Sequence, residues 1–182
     1  VVPIPPAPSE APPRYALDIH FAYSGVLDNA ALCPEGSGCV LQGGGGLGAT
    51  LEKRWPSGFG AFGGYDAWFL DSDSVFELGV QQVLRGGVRF TMPTDIIVHP
   101  IFELSFGGMG YGDTFGIATV GLLVQAFSGV EIEMTEHFGV LVGVGMRAFT
   151  HTRFRTSRDR VERAVKGLAT QTMFLQVGLT VM

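Results

Sequence analysis

The sequence predicts an all-β protein: an eight-stranded antiparallel transmembrane β-barrel with an extended Pro-rich N-terminal arm. Three observations carry this. Apolar and polar residues alternate with period two over long stretches. Charged residues are 16% of the chain, against about 25% in a soluble domain. There are 27 glycines, and Gly44, Gly46, Gly48, Gly79, Gly87, Gly121, Gly129, Gly143, Gly145 and Gly178 fall on the face that also carries the charges.

The stretch "SVFELGVQQVLRGGVRFTMP" shows the pattern best. Phe76, Leu78, Val80, Leu84, Val88, Phe90 and Met92 share one face with Gln82 and Gly86. Glu77, Gly79, Gln81, Arg85, Gly87, Arg89 and Thr91 share the other with Val83. Successive side chains of a strand point to opposite faces, so one oily face and one charged face read as a single long strand.

The other strands follow in order. The first runs from Tyr15 through Leu17, Ile19, Phe21 and Tyr23, with Asp18, His20 and Ser24 opposite. The second, "LQGGGGLGATLEKRW", sets Leu47, Ala49 and Leu51 against Gly46, Gly48, Thr50, Glu52 and Arg54, and "WPSG" turns it. The third, "FGAFGGYDAWFL", places Asp66 opposite Tyr65 and Ala67. The fourth is the stretch above. The fifth, "IIVHPIFELSF", carries His99, Glu103 and Ser105 on one face, and Pro100 predicts a bulge. "GGMGYGDTFG" reads as a loop. The sixth spans 117–134, with Glu131 and Glu133 on the polar face. The seventh sets Val140, Val142, Val144 and Met146 against Arg147 and two glycines. The eighth sets Met173, Leu175, Val177, Leu179 and Val181 against Thr172, Gln176 and Thr180. Connections after the second, fourth and sixth strands are tight. The others are mostly longer.

Two architectures fit: a soluble lipocalin-like barrel with the oily face inside, or a membrane barrel with it outside. Three features favour lipid. Glycines on the charged face leave room for large neighbours in a narrow lumen. Asp18, Glu52, Asp66, Glu77, Glu103, Glu131 and Glu133 nearly offset Arg54, Arg85, Arg89 and Arg147, and buried charges must pair. Tyr15, Tyr23, Trp55, Phe59, Phe69 and Phe90 lie near strand ends on the oily face, where an interfacial girdle belongs. In lipid no sheet edge is tolerated, so the first and last strands must pair.

The chain resembles the small eight-stranded outer-membrane barrels of Gram-negative bacteria, the OmpA/OmpX-like porin family, over residues 15–182. "TMFLQVGLTVM" is similar to that family's closing strand, although it ends in Met182 where an aromatic residue is usual. The resemblance implies an integral outer-membrane location and short turns facing the periplasm. It also implies a periplasmic position for the Pro-rich segment 1–14.

Cys33 and Cys39, with five residues between them in "CPEGSGC", read as a disulfide in an oxidising compartment. The basic loop 151–167 holds Arg153, Arg155, Arg158, Arg160, Arg163 and Lys166. Val161, Ala164, Val165 and Leu168 fall at helical spacing there. On the outer face these cations would meet lipopolysaccharide phosphates or a protein partner. The arm is a second candidate for partner contact. The net charge of −5 gives no pull toward nucleic acid. No catalytic or metal-ligating constellation stands out, so neither an enzyme nor a cofactor is expected. The expected role is structural or interactive, within an envelope assembly. A narrow pore through Glu77, Arg85, Arg89 and Glu131 is the alternative.

Overall fold

The computed structural model describes residues 12–28, 32–33, 38–73, 75–156, 158, 160–163 and 170–182. Residues 1–11 of the arm lie outside that set. Eight strands close into one antiparallel barrel: β1 (Arg14–Asp28), β2 (Gly44–Arg54), β3 (Phe59–Leu70), β4 (Gly79–Thr91), β5 (Val98–Asp113), β6 (Thr119–Thr135), β7 (Phe138–Phe149) and β10 (Thr170–Val181). Each pairs with its neighbours in sequence, and β1 pairs with β10 from Leu17↔Val181 to Asp28↔Gln171. The seam expected from the edge argument is therefore formed. Two short strands, β8 (Phe154–Arg155) and β9 (Glu162–Arg163), pair outside the barrel.

The oily face points outward. Leu84, Phe106 and Leu122 are 70%, 71% and 72% exposed, whereas Asp18, Glu52 and Arg89 are 1% exposed or less. This overturns the lipocalin-like alternative: a water-soluble barrel would invert the two faces. Strands of 11 to 17 residues suffice for a hydrocarbon core of about 30 Å, which needs about 9–11 tilted residues. Tyr15, Trp55 and Phe59 are exposed at the short-turn end, where Phe59 packs on Phe90 at 4.9 Å. At the long-loop end Tyr23 is exposed and Phe69 meets Phe115 at 6.1 Å. Lys53, the last outward residue of β2, lies 5.7 Å from the Trp55 ring, so its charge sits at the rim.

Two element expectations are corrected. β5 runs on through "GGMGYGD": Met109 and Tyr111 turn inward while the intervening glycines take the outer positions. Pro100 makes no bulge, since the β5–β6 register is continuous through Pro100↔Val130. Its carbonyl accepts from Met92 N at 2.8 Å, one residue past the last β4–β5 ladder pair, Thr91↔Ile101. The missing N–H thus falls where the ladder ends. Phe154–Arg155 and Glu162–Arg163 pair as a short antiparallel hairpin; Ala164, Val165, Gly167 and Leu168, on which the expected helix rests, are outside the described residues.

Candidate functional site

The lumen is filled by side chains in layers, and its glycines face its largest groups. Gly46 pairs with Trp68 in register, and a Cβ there would come 2.7 Å from the indole. Gly145 stands opposite Phe174, and a Cβ on Gly48 would collide with both His20 and Asp66. This is why β2 tolerates glycine at both Gly46 and Gly48, although glycine otherwise weakens a strand.

From the short-turn end upward, the first layer is Arg54, whose Nη2 lies 3.0 Å from both Glu52 and Glu131. The next is Arg89. Its guanidinium touches Asp18, reaches Glu52 at 2.9 Å and Glu103 at 3.0 Å. Above it, Arg85 bonds Glu103 at 2.6 Å, Asp66 at 2.9 Å and Thr50 at 3.3 Å. Both guanidinium groups also lie over the Phe62 ring, at 5.3 and 5.5 Å. Asp66 accepts a second contact from His20 Nε2 at 3.0 Å and stands 3.5 Å from Arg147. Arg147 donates to Gln125 at 2.7 and 2.9 Å and covers the Trp68 ring at 4.5 Å. Five carboxylates and four guanidiniums thus share one connected network. Each charge is desolvated and each has a partner, as a buried ion must.

Above Arg147 the lumen turns apolar. Trp68, Phe127 and Phe174 pack together, with ring separations of 5.8 and 6.3 Å. Tyr111 packs on Phe76 at 5.4 Å and donates its hydroxyl to Val40 O. Leu32, Val40, Leu41, Val75, Phe149 and Phe154 complete this plug. Loops carry much of it. Cys33 and Cys39 form the expected disulfide, and Cys39 N donates to Asp73 Oδ2 at 3.1 Å.

Two residues assigned to the lumen from sequence are not in the network. Glu77 is exposed, because β4 begins only at Gly79; its backbone N donates to Asp113 Oδ1 at 2.9 Å. The same late start turns Phe76 inward against Tyr111. Glu133 lies at the short-turn mouth beside a register shift, with a side chain 41% exposed, 3.3 Å from His99. The other nine, Asp18, Glu52, Arg54, Asp66, Arg85, Arg89, Glu103, Glu131 and Arg147, converge.

The basic loop divides. Arg153, Arg155, Arg158 and Arg160 are exposed, and Arg153 lies 3.2 Å from Glu162. Arg163 is fully buried, contrary to the expectation of an outward cation. It donates to Leu32 O at 3.2 Å, Gly38 O at 2.8 Å and Thr156 Oγ1 at 2.7 Å. It therefore ties the β8–β9 hairpin to the disulfide loop. Lys166 is outside the described residues.

Ser105 and His99 share β5 but stand six residues apart, about 20 Å along a strand. Glu103 between them is held by Arg85 and Arg89. This is not the geometry of a nucleophile and its base.

No family model matches the chain, and no curated protein matches it significantly in sequence. Solved structures do match. Neisserial surface protein A is 9% identical with a TM-score of 0.64, covering 92% of this chain and 96% of its own. OprG of Pseudomonas aeruginosa is 10% identical with a TM-score of 0.58, covering 94% and 96%. OprH of P. aeruginosa is 15% identical with a TM-score of 0.54, covering 90% and 97%. These neighbours are small eight-stranded outer-membrane β-barrels, and the closed eight-stranded barrel of this chain has the same fold.

Proposed function

We propose that this chain is an integral outer-membrane protein that acts through the surfaces at its two ends, as a structural or interaction subunit of a cell-envelope assembly. The observation that carries the reading is the lumen. Four arginines hold five carboxylates in a continuous buried network, and an apolar plug lies above it. A lumen occupied in this way leaves function to the exterior. Eight strands give an interior just wide enough for its own side chains.

The outer end offers Arg153, Arg155, Arg158 and Arg160 as exposed cations on and around one hairpin. Arginine pairs bidentately with phosphate, so lipopolysaccharide phosphates are the partner class these residues suit. The Pro-rich arm is the corresponding candidate at the other end.

The test is the native mass of the protein extracted from its own membrane in mild detergent. A particle much larger than 19.4 kDa plus its detergent belt, with co-purifying chains, is expected. A solitary barrel would overturn the assembly reading.

A further inference from the structure

A cavity of about 290 Å³ opens at the short-turn end of the barrel. Its floor is the lowest layer of the lumen network, where Arg54 is shared by Glu52 and Glu131. Trp55, Pro56, Pro93 and Met182 supply an apolar wall. Arg14, His99, Glu133 and Thr91 complete the lining.

These last groups are less committed than the floor. Arg14 is exposed, stands directly opposite Arg54 in the β1–β2 register, and makes no ion pair among the described residues. Like charges directly opposite on neighbouring strands are destabilising, so an anion beside Arg14 relieves a strain that the chain leaves standing. The Glu133 side chain is 41% exposed and has His99 Nε2 at 3.3 Å; the other nitrogen of that ring is held by Thr94 Oγ1 at 3.0 Å. In the closed strand order β6, which carries Glu133, stands three places from β1. The free cation and the accessible carboxylate therefore face each other across much of the mouth. Thr91 is 7% exposed and its Oγ1 has no hydrogen-bond partner.

We propose that this cavity binds a small zwitterion, an apolar dipeptide, with its carboxylate on Arg14, its ammonium on Glu133 and its peptide group on the Thr91 hydroxyl.

The charges select this class. A simple anion would gain Arg14 but meet Glu131 and Glu133. A simple cation would gain Glu133 but meet Arg14. A molecule with both signs at its two ends satisfies both. The hydroxyl of Thr91 can donate or accept, and a buried polar group without a partner carries a cost that a peptide N–H or C=O removes. The indole and the two prolines suit apolar side chains. The volume is at the small end of ligand pockets, which run from about 300 to 1,000 Å³. The Arg54 layer closes the site below, so the ligand is held at the mouth and does not pass through. This site goes beyond the assembly reading and stands whether the barrel is solitary or not.

The experiment is isothermal titration calorimetry of the purified full chain in detergent with leucyl-leucine. N-acetyl-leucyl-leucine, which lacks the ammonium, and leucyl-leucine amide, which lacks the carboxylate, are compared with it. A ligand of about 17 non-hydrogen atoms at ordinary ligand efficiency should give a dissociation constant of about 0.2 mM. Each blocked form should bind about tenfold more weakly or worse, having lost a charge-assisted hydrogen bond. Arg14→Gln should weaken leucyl-leucine by a similar factor and leave the amide unchanged. Glu133→Gln should weaken it likewise and leave the acetylated form unchanged. The three-ligand comparison on the unaltered chain stands by itself should a variant fail to fold. No saturable heat up to about 10 mM, some fifty times the expected constant, overturns the proposal. Equal binding of the three forms overturns it too, since that is partition of an apolar solute, and so does a folded Arg14→Gln that binds leucyl-leucine as before.

Discussion

Arg89 of β4 and Glu103 of β5 face each other in register, and both Nε and Nη2 of the arginine reach one carboxylate oxygen, at 3.3 and 3.0 Å. The same guanidinium touches Asp18 of β1 and Glu52 of β2. One side chain therefore links four strands through the middle of the lumen.

Arg89→Met should be among the most damaging single changes in the barrel. It leaves three acidic groups short of their shared cation. Removing one partner of a buried ion pair costs about 3–5 kcal/mol. Urea unfolding in detergent should show a loss of that size. Replacing Arg89 and Glu103 together by apolar residues of similar size should cost less than the two single changes added, because neither group is then left alone.

Leu84→Arg tests the outward assignment. Leu84 is 70% exposed near the middle of β4. An arginine on the lipid face near the midplane should cost about 2–4 kcal/mol. In a soluble barrel the same change at an exposed site would be nearly neutral. Folding into lipid vesicles, followed by the shift in gel mobility on boiling, measures the difference.

Arg163→Ala should release the outer cap and spare the barrel. The guanidinium holds carbonyls of the disulfide loop and a hydroxyl of its own hairpin. Each hydrogen bond to a charged group contributes about 1.5–3 kcal/mol. Amide exchange at Gly38 and Val40 should accelerate while exchange in the β1–β10 ladder stays slow.

Acidification should loosen the loop after β7. His151 is buried there against Phe154 and neither ring nitrogen has a hydrogen-bond partner. Burial lowers its pKa from the ordinary 6.5. The unfolded chain therefore takes up the proton first. The stability contribution is whole above about pH 6.5 and is lost as pH falls from there through the folded-state pKa. His151→Phe should flatten that part of the pH profile. An unchanged slope would assign it to another group.

Much of this was legible in the sequence because one force dominates each strand. In β10, Met173, Leu175, Val177 and Leu179 face out and Thr172, Gln176 and Thr180 face in, with no exception. Lipid outside and a packed lumen inside enforce period two. Errors arose where that constraint lapses. Glu77 continues the alternation past the start of β4, and periodicity alone cannot mark where pairing stops. The glycines of β5 read as a loop, yet at outward positions they let the strand run on while Met109 and Tyr111 enter the plug. Arg163 reads like its four exposed neighbours; its burial depends on carbonyls more than 100 residues away. Cys33 and Cys39 were legible because their closeness is local.

Conductance across a planar bilayer most directly tests the proposal that the filled lumen does not conduct. The purified protein, inserted from detergent, should give no stepwise current at voltages where a wide porin conducts. Stable, reproducible steps from the intact chain would contradict the account, for they would mean that ions pass the Arg54, Arg89 and Arg85 layers that the network closes.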